Sequence, residues 1–146
     1  MRGIKSNYFT TLPPAFANAR VSQVMRHGVL TCRPETPLRA IAQTMAANHV
    51  HCLVVTGYGA GIPGDEGWAV VTDLAVVRAA MEDETSTAAD VATRPVIVSG
   101  ADTVSNAASL MCEHGTNHLV VVDAEMRPEG VLSTLDIAAN VAWGLG

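Results

Sequence analysis

The strongest constraint on this chain is that it repeats itself. Thr44-Met-Ala-Ala-Asn-His-Val-His-Cys-Leu-Val-Val-Thr56 returns 66 residues later as Leu110-Met-Cys-Glu-His-Gly-Thr-Asn-His-Leu-Val-Val-Val122, setting Met45 on Met111 and Leu53-Val-Val on Leu119-Val-Val. Upstream the same offset sets Leu38, Ala42 and Met45 on Val104, Ala108 and Met111. Downstream, Ala69-Val-Val-Thr72 matches Gly130-Val-Leu-Ser133 at an offset of 61. The difference falls in the stretch between them, glycine-rich over residues 57–67 in the first copy and shorter, over 123–129, in the second. Loop closure entropy grows slowly with length, so a loop absorbs such a change at little cost. A duplicated unit is the simplest reading. At 146 residues the chain is one ordinary domain, or two half-size units sharing a core.

Each copy reads as β-α-β-β-α, an α/β (α+β) pattern. Val29 to Cys32 and Val96 to Val98 are short strand candidates. Thr36-Pro37 precedes a helix with Leu38, Ile41, Ala42 and Met45 on one face, and its second copy begins near Asp102 or Thr103 with Val104, Ala107, Ala108 and Met111. Pro37 suits a first helical turn, where its missing donor has no partner to lose. The apolar runs His51 to Thr56 and His118 to Val122 follow as strands. Trp68 to Val71 and Val131 to Leu132 come next, and helices begin around Thr72 and Ser133. One such unit is marginal alone, and two packed together make a core. The boundaries are an extension over residues 1–20, a first unit over 21–85 and a second over 86–146. Pro13-Pro14 argues against a continuous helix in the extension, and Ile137 to Trp143 completes the last helix, which Gly144 ends.

Composition narrows the class. The 49% hydrophobic content against 16% charged residues excludes disorder as the main state. It rests on 22 Ala and 19 Val with two each of Phe, Tyr and Trp, which suits helices packed closely on strands. Nine basic residues against 14 acidic ones, a net charge of −5, leave no basic stripe for a nucleic acid partner. No apolar run is long enough to span a membrane. The N-terminus carries Arg2 and Lys5 without a following apolar stretch, a poor signal peptide. The odd set Cys32, Cys52 and Cys112 lacks disulfide or metal-type spacing, so a reducing cytoplasm is the expected compartment.

Gly130-Val-Leu-Ser-Thr-Leu-Asp136 sits at a strand-to-helix junction and reads two ways. Ser133 caps the helix while Asp136 reciprocates from the third helical position, a capping box. The same geometry offers free amides and a hydroxyl to a phosphate, and a carboxylate to both hydroxyls of a ribose. The two readings are compatible, since Asp136 can leave the cap to face a ligand. In the first copy Thr72 keeps the hydroxyl, but Ala75 replaces the carboxylate. Asp73 lies about 200° around the helix from residue 75, a poor substitute. The two copies are therefore expected to differ in function.

Of the five histidines, His49 and His51 share one face of a strand while Cys52 points to the other. His114 and His118 straddle a helix end. No HExxH or CxxC accompanies them, so no dedicated metal site is expected. Catalytic motifs are missing as well: no GxSxG, Walker loop or dinucleotide fingerprint is present. The glycine-rich stretch reads as a loop, and Cys32 and Cys112 as small buried residues.

The paired units resemble tandem CBS domains, the regulatory pair called a Bateman module, from Val21 to about Val141. The resemblance rests on Val21-Ser-Gln-Val-Met25, Arg33-Pro-Glu-Thr-Pro-Leu38, the Met45 helix before Leu53-Val-Val, and Thr72. It is repeated in Ala89-Asp-Val91, Ala101-Asp-Thr-Val104, Met111, Leu119 to Asp123 and Gly130 to Asp136. It implies a pseudo-twofold, non-enzymatic module with two clefts that take adenine nucleotides or related adenosyl compounds. One cleft would use Ser133 for phosphate and Asp136 for ribose, with Leu132 in the same motif, Val29 and Leu30 beside the base, and His49, Val50 and Asn117 at the rim. The other would involve Thr72, Pro95, Val96, His51 and Thr116, with Ala75 departing from the family's ribose pattern. The resemblance further implies a free-standing homodimer whose ligand (AMP, ADP, ATP or another adenosyl compound) biases self-association or an effector protein. The rival readings are a structural protein-interaction module with non-functional clefts, and a divalent-metal sensor.

Overall fold

The computed structural model describes residues 18–58 and 67–143. The Pro13-Pro14 break, most of the glycine-rich loop and the Gly144 stop lie outside the described residues. The elements are α1 (Val21–Val24), β1 (Arg26–His27), β2 (Thr31–Cys32), α2 (Leu38–Asn48), β3 (Cys52–Val55), β4 (Ala69–Thr72) and α3 (Asp73–Glu82). They continue with α4 (Ala88–Val91), β5 (Ile97–Ser99), α5 (Val104–His114), β6 (His118–Val122), β7 (Pro128–Ser133) and α6 (Thr134–Trp143). The β-α-β-β-α pattern thus occurs twice, as β2-α2-β3-β4-α3 and β5-α5-β6-β7-α6.

The chain forms two compact units, one spanning Val29–Pro95 and one combining the stretch before residue 29 with that from Val96 onward. In the first, β3 lies between β2, parallel to it, and β4, antiparallel. All four residues of β3 are buried, as expected of an apolar run covered on both faces. Leu53 and Val55 join Ile41 and Met45 of α2, Ala69 and Val71 of β4, and Ala88 in one core. The stripe Leu38, Ile41 and Met45 is the buried face of α2.

The other unit has the sheet order β1-β7-β6-β5, in which β7 is antiparallel to both neighbours and β5 runs parallel to β6. Its core joins Val21 and Met25 to Val98, Ala107, Met111, Leu119, Val121 and Leu132. Strand β7 is longer than the expected Val131 to Leu132 because it pairs on both edges. Strand β2 begins at Thr31 rather than Val29, although the Leu30 carbonyl still accepts the Val54 N–H at 2.9 Å.

The short helices explain why the units interleave along the chain. The N–H groups of Val21 and Ser22 in α1 donate to Asp102 and Gly100 carbonyls, each at 2.9 Å, ahead of α5. The N–H groups of Ala88 and Ala89 in α4 donate likewise to Thr36 and Pro34 carbonyls, at 2.9 and 2.8 Å, ahead of α2. Each copy's leading helix thus docks on the strand-to-helix loop of the other copy. Thr87 and Asp90 hold α4 in a capping box.

Candidate functional site

At the β7–α6 junction, β7 delivers Ser133 to the start of α6 beside His118 of β6, its partner in the ladder. Ser133 Oγ accepts the Asp136 N–H at 3.2 Å, and Asp136 Oδ2 accepts the Ser133 N–H at 2.9 Å. This reciprocal pair is the capping box expected from the residues, and both side chains are half-buried. The Thr134 N–H donates to the Asn117 carbonyl at 2.9 Å. Asn117 Oδ1 meets His118 Nδ1 at 2.9 Å, and the Thr116 hydroxyl donates to the His118 carbonyl at 3.1 Å. Beneath them Leu132 is fully buried. The junction therefore gathers Thr116, Asn117, Leu132, Ser133 and Asp136 at the positive end of a ten-residue helix. Thr134, which was not singled out from the sequence, and His118, weighed there as a metal ligand, belong to the same cluster; the pairing of β6 with β7 brings them there.

The β4–α3 junction in the first copy has the same frame and different chemistry. Cys52 pairs with Thr72 as His118 pairs with Ser133. Thr72 Oγ1 accepts the Ala75 N–H at 3.1 Å, and the Asp73 N–H donates to the His51 carbonyl at 2.9 Å. Asp73 Oδ2 lies 2.9 Å from His51 Nδ1, with both side chains about half exposed. Burial, and then the Asp73 charge, push the Cys52 thiol up to about 11, so it stays protonated and is no nucleophile. Cys32 is half-buried, and burial raises its thiol too. Cys112 is exposed, against expectation: the buried face of α5 is Val104, Ala107 and Met111, and residue 112 falls about 100° away from the last of these.

The remaining expected residues take equivalent places in the two copies. Leu30 accepts from Val54 as Val96 accepts from Val120, at 2.9 and 3.0 Å. Val29 and Pro95 precede them, both half-buried. Val50 follows α2 as Thr116 follows α5, their N–H groups donating to Met45 and Met111 carbonyls at 3.2 and 3.0 Å. His49 ends α2 in the left-handed region, at φ 53°. The unit Val29–Pro95 holds Val29, Leu30, His49, Val50, His51, Thr72 and Pro95, and the other unit holds Val96 and the β7–α6 cluster. Among the described residues no three His, Cys, Asp or Glu side chains gather as a metal ion requires, and no helix is long and apolar enough to cross a membrane.

The CBS domain family model matches residues 21–64 and 88–142. A CBS domain protein from Pyrobaculum aerophilum, solved in complex with AMP, is 28% identical, with 84% of this chain and 98% of that one covered at a TM-score of 0.70. Hypoxic Response Protein I, solved with two coordinated zinc ions, is 24% identical over 83% of this chain and 98% of its own, at a TM-score of 0.65. A CBS domain pair solved with 5′-methylthioadenosine and S-adenosyl-L-methionine is 17% identical over 86% of this chain and 97% of its own, at 0.74. The latter two likenesses concern the fold alone. No curated protein matches the chain.

Proposed function

The chain belongs to the CBS-domain family, and from that premise we propose that it is a regulatory module binding one adenine nucleotide (AMP, ADP or ATP) at the β7–α6 junction. CBS modules are non-catalytic regulatory units. The observation that carries the reading is the Ser133–Asp136 pair, which combines a hydroxyl and a carboxylate at a helix N-terminus. On binding, the Ser133 hydroxyl turns to phosphate, and Asp136 releases the Ser133 N–H to accept both ribose hydroxyls. Giving up a cap costs about 1 kcal/mol. Hydrogen bonds to a charged group return about 1.5–3 kcal/mol each, so the exchange runs toward the ligand. Asn117 stands beside the junction in the same unit, and the family resemblance assigns the base to it together with Val29, Leu30, His49 and Val50, with Leu132 in the Ser133 motif. AMP in the P. aerophilum relative supports this ligand class. The second set, Thr72, Pro95, Val96, His51 and Thr116, lacks the diol acceptor because residue 75 is alanine.

A ligand regulates only by binding two conformations or assemblies unequally. Exposed apolar side chains stand on α3 (Leu74, Val77, Met81) and on α6 (Leu135, Val141, Trp143). They support a homodimer, or an effector protein, as the surface on which occupancy is read.

Isothermal titration calorimetry of nucleotide-free protein with AMP, ADP and ATP, with and without magnesium, tests the reading. One saturable site per chain is expected. Asp136→Ala, with its fold verified by circular dichroism, weakens binding by about tenfold or more. Folded, ligand-free protein that gives no heat with any of the three overturns it.

A further inference from the structure

The two junctions differ in what fills the helix N-terminus. At α3 the first three backbone N–H groups are all engaged: Asp73 by the His51 carbonyl at 2.9 Å, Leu74 by Asp73 Oδ1 at 2.8 Å, and Ala75 by Thr72 Oγ1 at 3.1 Å. A carboxylate in this first turn is what the helix dipole favours, and its second oxygen holds His51 Nδ1 at 2.9 Å. At α6 the backbone frame is the same, with Thr134 donating to Asn117 as Asp73 donates to His51. There the first helical residue carries a hydroxyl instead of a charge, and the turn's one acid is Asp136, two residues further on.

We infer that Asp73, held in place by His51, is a resident anion that closes the first copy's junction to phosphate-bearing ligands, so that the chain takes adenylate at one junction only. The inference rests on the phosphate-and-ribose reading of the β7–α6 junction. Two of these three amides are bonded in the same way at α6, so what a phosphate meets at α3 alone is a Leu74 N–H already held by Asp73 and a carboxylate of its own sign. His51 Nδ1 is already engaged by Asp73. Ala75 is a separate deficit: it removes the diol acceptor and leaves the charge untouched. Asp73 is thus a specificity-determining residue whose effect depends on the ligand's charge. AMP senses it, and adenosine does not.

The experiment places every change in an Asp136→Ala background, so that any remaining site belongs to the first copy, and compares it with wild type. Ala75→Asp alone restores the diol acceptor and is expected to leave AMP binding undetected. Adding Asp73→Asn, which keeps the shape and removes the charge, or Asp73→Thr, which copies Thr134, is expected to raise AMP affinity about tenfold or more. Adenosine affinity is expected to change little. Circular dichroism and thermal melts verify the fold of each variant. If Ala75→Asp binds AMP as well with Asp73 as without it, the inference is overturned. It is equally overturned if neither Asp73 variant binds, or if adenosine gains as much as AMP. Wild type reports separately on the β7–α6 reading: failure there alongside a gain in the Asp73 variants overturns that reading and leaves Asp73's role standing.

Discussion

His49 and Gly115 are the same position in the two copies and pose one backbone problem. His49 ends α2 at φ 53° and ψ 46°, and Gly115 ends α5 at φ 60° and ψ 36°. The left-handed conformation costs a residue with a Cβ about 1–2 kcal/mol, and glycine very little. His49→Gly removes that strain but frees the unfolded chain, which returns about 0.4–1 kcal/mol. The net expectation is a gain of about 0.8 kcal/mol, or about 2–3 °C in Tm for a domain of this size. Urea unfolding followed by circular dichroism reads it as a higher midpoint at unchanged slope. His49→Ala, which keeps a Cβ, is expected to fall at or below wild type. Gly115→Ala isolates the same strain in reverse, because a Cβ there meets nothing within 4 Å; it is expected to lose about 1 kcal/mol or more. A His49→Gly protein no more stable than His49→Ala refutes the reasoning.

A Cβ on Gly130 runs into the Arg26 carbonyl oxygen and lies 2.9 Å from Met25 Sδ; Gly130→Ala is expected to cost about 1–3 kcal/mol in the same unfolding assay by pushing β1 off β7. An unchanged midpoint counts against that pairing. Asp123 accepts the Arg127 and Glu125 N–H groups at 2.9 Å each, and these bonds, that of Arg127 foremost, hold its carboxyl below the usual range. Its contribution is therefore complete above the unfolded value of about 3.9 and lost as pH falls through the lower folded value. Asp123→Ala is expected to melt below wild type at neutral pH, with the gap closing under acid; a gap independent of pH contradicts the assignment. Val77→Glu on α3, or Leu135→Glu on α6, is expected to convert a sedimenting dimer to monomer, and a dimer indifferent to both charges excludes these helices as its interface.

What could be read ahead of the structure was local. The stripes Leu38–Ile41–Met45 and Val104–Ala107–Met111 mark their helices because apolar residues return at the helical period. Leu53-Val-Val and Leu119-Val-Val mark buried strands because both faces are covered. Ser133 and Asp136 were legible as a pair since a capping box closes over three residues. Strand β1 was not: Arg26–His27 is two exposed residues without alternation, and its place beside β7 depends on Gly130 leaving room. Nor was the His51–Asp73 pair, whose members are 22 apart and meet only through the register of β3 on β4. Helical spacing made Asp73 a poor diol acceptor, and it took that register to show what else the carboxylate does. Cys112 was misjudged because a small apolar residue one step off a buried stripe looks like part of it.

The interleaved units impose an order of assembly on a chain made from its N-terminus. The unit Val29–Pro95 contains its whole sheet within one continuous segment, so it can close as soon as residue 95 has left the ribosome. Arg26 and His27 precede that segment, yet their partners Val131 and Gly130 follow it, Arg26 being separated from Val131 by 105 residues. At about 5–20 residues per second that is a wait of roughly 5–20 s. During that wait Val21 and Met25, which finish in the other core, have nothing of their own unit to bury against. The segment from Val21 to His27 is therefore made before the unit Val29–Pro95 and finds its place after it, and during that wait it stands open to proteases and to neighbouring chains.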